Sequence, residues 1–128
     1  MVQLDKLIKI AKEARENSYS PYSNYKVGCA LVTKEGKIFS GCNIENDGIM
    51  SICAERVVFA KALSEGERNF EALLVLGGKD ELIYTSPCGY CRQFISEFCN
   101  SDFPIYLYDG NQVKQKILGD LLPDHFNL

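Results

Sequence analysis

Apolar residues recur at helical spacing at the start of the chain, where Leu4, Leu7, Ile8, Ala11 and Ala14 share one face and the pattern fades by Asn17. That spacing predicts an amphipathic first helix. The tyrosine-rich stretch "SYSPYSNY" follows as a loop stiffened by Pro21. "KVGCALVT" and "KIFSGCNI" then read as two strands joined at "KEG", a hairpin. A second helix is predicted from about Ile52 to Glu65, with Gly66 as its stop. "EALLVLGG" is a short apolar run closed by glycines, the pattern of a buried central strand. A third helix starts within "PCGYC" and carries Arg92 to Cys99. "PIYLYDGNQVKQKI" reads as a strand, a turn at Asp-Gly-Asn and another strand, before the short tail "LGDLLPDHF". A helix, two strands, then alternating helix and strand predicts a three-layer α/β architecture. No repeat, low-complexity tract or linker divides residues 1–128, so they read as one domain.

Composition narrows the function classes. A length of 128 residues with 46% hydrophobic and 24% charged positions suits one globular core of modest size. The net charge is −3 and no basic run interleaves with aromatics, which argues against nucleic acid as a partner. "MVQLDKLIKIAKEAREN" carries charge in every turn, so it reads as neither a signal peptide nor a membrane span, and no other apolar run is long enough to cross a bilayer. A cytoplasmic, reducing location follows as the expectation. The six cysteines are then metal ligands, catalytic groups or core packing rather than disulfides.

Two stretches carry chemistry: "ICAERVV", with Cys53 and Glu55, and "SPCGYCRQF", with Cys88 and Cys91 after Pro87. The two-residue gap lets Cys88 and Cys91 reach one metal from a single turn. Cys53 and Cys88 both fall where helices are predicted to begin, where unpaired N–H groups and the positive dipole end favour thiolate over thiol. Three thiolates around Zn²⁺ leave the fourth tetrahedral position open, as catalytic zinc requires. Three negative charges blunt the metal's acidity, and Arg56, one helical turn after Cys53, can hydrogen-bond a ligand sulfur and offset that excess. The competing reading is a plain surface arginine. Glu55 stands where a carboxylate can take a proton from water without coordinating the metal. Cys-x-Glu followed by Pro-Cys-x-x-Cys is the arrangement of the zinc-dependent nucleobase deaminases.

At these residues the chain resembles the small homotetrameric cytidine deaminases. The likeness runs in order through "PYSNYKVGCAL", "GCNIEN", "CAER", "KALSEGERNFEALLV", "SPCGYCRQ" and "LLPDHF", nearly the whole chain. The resemblance implies a three-layer α/β/α fold around a central mixed five-stranded sheet. It implies one Zn²⁺ per subunit held by Cys53, Cys88 and Cys91, and Glu55 as the catalytic proton shuttle. It implies that the backbone at Ala54 and Ser86 reads the base edge, and that Asn43 and Glu45 bind the ribose hydroxyl. On the residues alone, Asn43 and Glu45 could equally end a strand and face water. Tyr25 falls where the family usually has Phe near the pyrimidine, and Phe126 matches an aromatic that reaches a neighbouring subunit's pocket; without the likeness each is a core aromatic. The implied reaction is deamination of cytidine and 2'-deoxycytidine to uridine and 2'-deoxyuridine in pyrimidine salvage, by a homotetramer acting on small nucleosides.

The remaining candidates are weaker. His125, the single histidine, reads as an ordinary residue near the C-terminus; Cys29, Cys42 and Cys99 read as core fillers, and Gly77-Gly78 as a strand end. The likeness breaks at "DGIMSI", one residue shorter than the family's segment and without its aromatic. Ile49 and Met50 there predict a pocket changed at its rim that admits N4-substituted or base-modified cytidines. Three alternatives compete: the same chemistry on a cytosine-nucleoside antibiotic of the blasticidin S type, a structural zinc module, and editing of single-stranded nucleic acid. The second lacks a well-spaced fourth ligand, and the third lacks basic charge and extra loops.

Overall fold

The computed structural model describes residues 2–128. The first helix, Leu4–Arg15 (α1), buries Leu7 and Ala11 completely, as the periodicity predicts. It is followed by the strands Lys26–Thr33 (β1) and Ile38–Cys42 (β2), the helix Ala54–Ser64 (α2) and the strand Phe70–Gly78 (β3). The helix Gly89–Ser96 (α3), the strands Pro104–Tyr108 (β4) and Val113–Ile117 (β5), and a single turn of helix at Leu118–Leu121 (α4) complete the order.

The five strands form one sheet ordered β2-β1-β3-β4-β5. β3 and β4 are parallel, whereas the other neighbouring pairs are antiparallel, so the sheet is mixed. Strand side chains alternate between faces, and the apolar ones sort accordingly. Val27, Cys29, Leu31, Leu73, Val75, Ile105 and Leu107 point to one side, where they pack with Ala54, Val58, Phe59 and Ala62 of α2 and Ile95 of α3. Ala30, Leu74 and Leu76 point to the other, under Leu7 and Ala11 of α1. β3 is apolar on both faces because both are covered, which makes the α/β/α layering.

α1 approaches β1 closely at Gly28. A Cβ there would lie 2.1 Å from the carbonyl oxygen of Ala11 and 2.9 Å from Arg15 Cβ. Arg15 fastens the same corner, donating from Nε to the Lys26 carbonyl (2.9 Å) and from Nη2 to the Gly78 carbonyl (2.7 Å). Gly28→Ala forces backbone apart and is expected to cost about 1–3 kcal/mol, a fall in Tm of about 5–15 °C. An unchanged melting midpoint would contradict the packing.

Three boundaries differ from the sequence expectation by two residues or more, two because of a non-local contact and the third because the last helical turn tightens. α2 starts at Ala54 rather than Ile52, since Ile52 exchanges backbone hydrogen bonds with Ile44 (3.0 and 2.9 Å) and is held extended. β2 ends at Cys42 rather than Ile44, because Ile44 leaves the ladder to bridge Tyr19 and Ile52. α3 ends at Ser96 rather than Cys99, with the Phe98 and Cys99 amides both turning back onto the Ile95 carbonyl. The Gly77-Gly78 pair ends β3 as predicted: Gly78 has φ 155°, and a Cβ there would meet the Glu81 carbonyl oxygen at 2.0 Å.

Candidate active site

Two helix starts converge on three sulfurs. Cys53 caps α2 and Cys88 caps α3, both with extended backbone (φ −70°, ψ 151° and φ −67°, ψ 167°). Cys91 lies in the first turn of α3, fully buried. Helix N-termini leave amides unpaired, so each presents positive potential to a thiolate. The Cys53 and Cys88 Sγ atoms are 3.7 Å apart and those of Cys88 and Cys91 3.5 Å, with all three within 4.8 Å of one another. Tetrahedral sulfurs at the usual zinc–sulfur distance lie roughly 3.8 Å apart, so the trio fits one zinc ion. Hydrogen bonds, first from Cys91 and then from Arg56 and Cys88, pull the Cys53 thiol down to about 5. The same bond to Cys53, and then burial, push the Cys91 thiol up. Soft donors, one already favouring thiolate, suit zinc rather than a hard cation.

Arg56 lies one turn beyond Cys53 and donates from Nη2 to its Sγ and to the Ser51 carbonyl, both at 3.4 Å. The Tyr90 ring covers the guanidinium, 4.2 Å from centroid to Cζ. Arg56 Nε is buried with no hydrogen-bond partner. The guanidinium thus lies against the Cys53 sulfur and the Tyr90 ring.

Glu55, the second residue of α2, is 4% exposed. Burial pushes its carboxyl up to about 7, with the negative charge of Cys53 adding to the rise. A buried carboxyl with an affinity for protons near neutrality is equipped to accept one and hand it on.

The other predicted site residues fall in three places. Ala54 is fully buried at the start of α2, and Ser86 Oγ accepts from Arg92 Nη2 (2.8 Å) just before Cys88. The half-buried Tyr25 joins its hydroxyl to Thr85 Oγ1 at 2.5 Å, beside Ser86. Asn43 and Glu45 lie past the end of β2, and both grip the segment that leads into β1. Asn43 Oδ1 accepts from Val27 N–H (2.9 Å) and Ser18 Oγ (2.5 Å), and its Nδ2 donates to the Tyr25 carbonyl (2.8 Å). Glu45 Oε1 accepts from the Tyr22 and Ser23 amides (2.9 and 3.1 Å), and Oε2 from the Ser23 hydroxyl. The hydroxyl, followed by those amides, holds the Glu45 carboxyl below its ordinary range. Phe126 stands apart on the flank of α3, 69% exposed, with its carbonyl accepting from Gln93 Nε2 (3.0 Å). Ile49 and Met50 on the shortened segment are exposed.

The model of the cytidine and deoxycytidylate deaminase zinc-binding region matches residues 1–107, which include all three sulfurs and Glu55. The chain belongs to that deaminase family. It is 44% identical over 128 residues to a cytidine deaminase of Sporosarcina psychrophila, covering 98% of this chain and 93% of that one. A crystal structure of cytidine deaminase from Burkholderia pseudomallei superposes with a TM-score of 0.90 at 43% identity, covering 98% of this chain and all of the other. Blasticidin-S deaminase of Bacillus cereus is 32% identical over 124 residues, covering 91% and 87% of the two chains. The three-layer fold and the zinc chemistry of a deaminase thus agree with the cysteine trio. Two members of the site escaped the sequence: Tyr90, which covers Arg56, and Arg92, which reaches Ser86. The signal available was position alone, since they occupy α3 on either side of Cys91.

Proposed function

We propose that residues 1–128 act as one zinc-dependent hydrolase domain that deaminates cytidine and 2'-deoxycytidine. The observation that carries this reading is the buried Glu55 set two residues from Cys53, beside a thiol trio of zinc-binding size. Cys53, Cys88 and Cys91 hold one zinc ion per subunit. When bound, zinc supplies the Lewis acidity that makes water a nucleophile at neutral pH. Glu55 takes one proton from the attacking water and sets it on N3 of the pyrimidine. It takes the second from the new hydroxyl at C4 and sets it on the departing amine. Uridine keeps the oxygen and the N3 proton, and ammonia leaves. Burial keeps Glu55 away from bulk water, so both protons pass within the site.

The remaining roles are those the family likeness implies. The backbone at Ala54 and Ser86 reads the base edge, with Tyr25 packed beside it through Thr85. Asn43 and Glu45 meet the ribose hydroxyl while ordering the segment that feeds β1. Arg56 steadies the charged sulfurs, and Arg56→Ala is expected to weaken zinc binding by about 10–100-fold, read by competition with a chelator. Unchanged affinity would remove that role.

The active form is a homotetramer in which the exposed Phe126 enters a neighbouring subunit's pocket. The setting is cytoplasmic pyrimidine salvage, and among the described residues no helix is long and apolar enough to cross a membrane. A second reading keeps the chemistry and changes the nucleoside, favoured by the likeness to Blasticidin-S deaminase and by the short segment with Ile49 and Met50. Formation of the uracil nucleoside from cytidine, 2'-deoxycytidine, an N4-substituted cytidine (which expels the substituted amine rather than ammonia) and blasticidin S separates the two. Cytidine and 2'-deoxycytidine are expected to be the fastest, and a clear preference for blasticidin S would overturn that order.

A further inference from the structure

Arg92 is the first residue after Cys91, and its guanidinium hydrogen-bonds three oxygens. Its planar guanidinium has five N–H donors in a fixed fork. Nε donates to the Pro87 carbonyl at 2.6 Å and Nη2 to Ser86 Oγ at 2.8 Å. Nη1 donates to the Leu121 carbonyl at 2.7 Å. The first two acceptors belong to the segment that delivers Cys88. The third is the last residue of α4, and Leu121 lies 29 residues beyond Arg92 in the chain. No carboxylate shares the guanidinium among the described residues, where the recorded salt bridge is Lys37–Glu67. The cation is spent on neutral oxygens from two segments far apart in the chain. Its neighbour Gln93 donates its side-chain hydrogen bond to the Phe126 carbonyl, in the tail.

We propose that Arg92 is a positioning residue that locks the Ser86–Pro87 segment ahead of Cys88 and ties its placement to the C-terminal segment. The consequence for turnover rests on the reading above that the Ser86 backbone meets the pyrimidine. A loosened edge weakens substrate and transition state alike, which raises KM and spares kcat. Lysine cannot replace this arginine, because an ammonium is a point donor and acceptors on two segments need the fork.

The test is amide hydrogen exchange on the zinc-loaded full chain without substrate, followed by steady-state kinetics on cytidine. Arg92→Gln is expected to speed exchange in peptides covering residues 86–90 and 118–126 together, by about tenfold. Gln93→Ala is expected to speed exchange in the tail and leave 86–90 unchanged. KM for cytidine rises by about tenfold in Arg92→Gln with kcat within about threefold of the parent and zinc per chain unchanged. Exchange that rises in only one of the two segments overturns the coupling. A fall in kcat at constant KM overturns the positioning role. If Arg92→Gln does not fold, Ser86→Ala removes one acceptor while leaving α3 intact, and exchange over 118–126 is expected to rise by about threefold; an unmoved tail then overturns the proposal. Because exchange is measured without substrate, a chain that ignores cytidine would sink the functional reading while the coupling is still judged.

Discussion

Replacing Glu55 with glutamine lowers kcat for cytidine by about 10²–10⁴-fold while the protein keeps its zinc. Glutamine matches the carboxylate in shape and fills the same buried space at the start of α2, so packing of the neighbouring Ala54 and Val58 is preserved. It cannot take a proton from water or pass one to N3, because a neutral amide is neither base enough nor acid enough. The thiol trio does not include Glu55, so metal content measured on the purified variant stays at the parent's level. Ammonia release and zinc analysis on the same preparation check both halves. A variant that keeps most of its turnover would remove Glu55 from the chemistry; one that loses zinc would make it a ligand.

Cys91→Ser gives the second large effect. It removes one of the three donors, and loss of the metal's Lewis acidity, worth several kcal/mol, lowers ammonia release by at least about 10³-fold. The fold survives the change. Cys91 belongs to neither of the two apolar clusters that join the sheet to its helices, and the ladder pairing of the five strands does not depend on it. Far-UV circular dichroism is therefore expected to match the parent. Collapse of that signal on loss of zinc would mark the metal as structural, since metal that builds a fold takes the fold with it when removed.

The strands were legible because alternation is local: "KVGCALVT" and "EALLVLGG" carry their two faces in their own residues. The metal cluster was legible for a related reason. A helix start is written in a few residues, and both Cys53 and Cys88 occupy one. The misplaced edges had a different origin. Nothing within "CNIEN" announces that Ile44 will pair with Ile52, yet that pairing sets where α2 begins. The sequence offers Asn43 only water or a sugar as partner, whereas its amide bonds Val27 and Tyr25, residues 16 and 18 positions away. In the sequence Arg92 is simply part of the third helix, because its significance lies in an acceptor brought in from the tail. On the residues alone Phe126 reads as a core aromatic, whereas its ring lies exposed beside α3, a placement set by the tail's path rather than by local pattern.

Titrating zinc into metal-stripped protein while following ammonia release from cytidine tests the central claim most directly. Turnover is expected to rise in proportion to added metal and level off at one zinc per chain. Full turnover before any metal is added, or a plateau at a different stoichiometry, would contradict it.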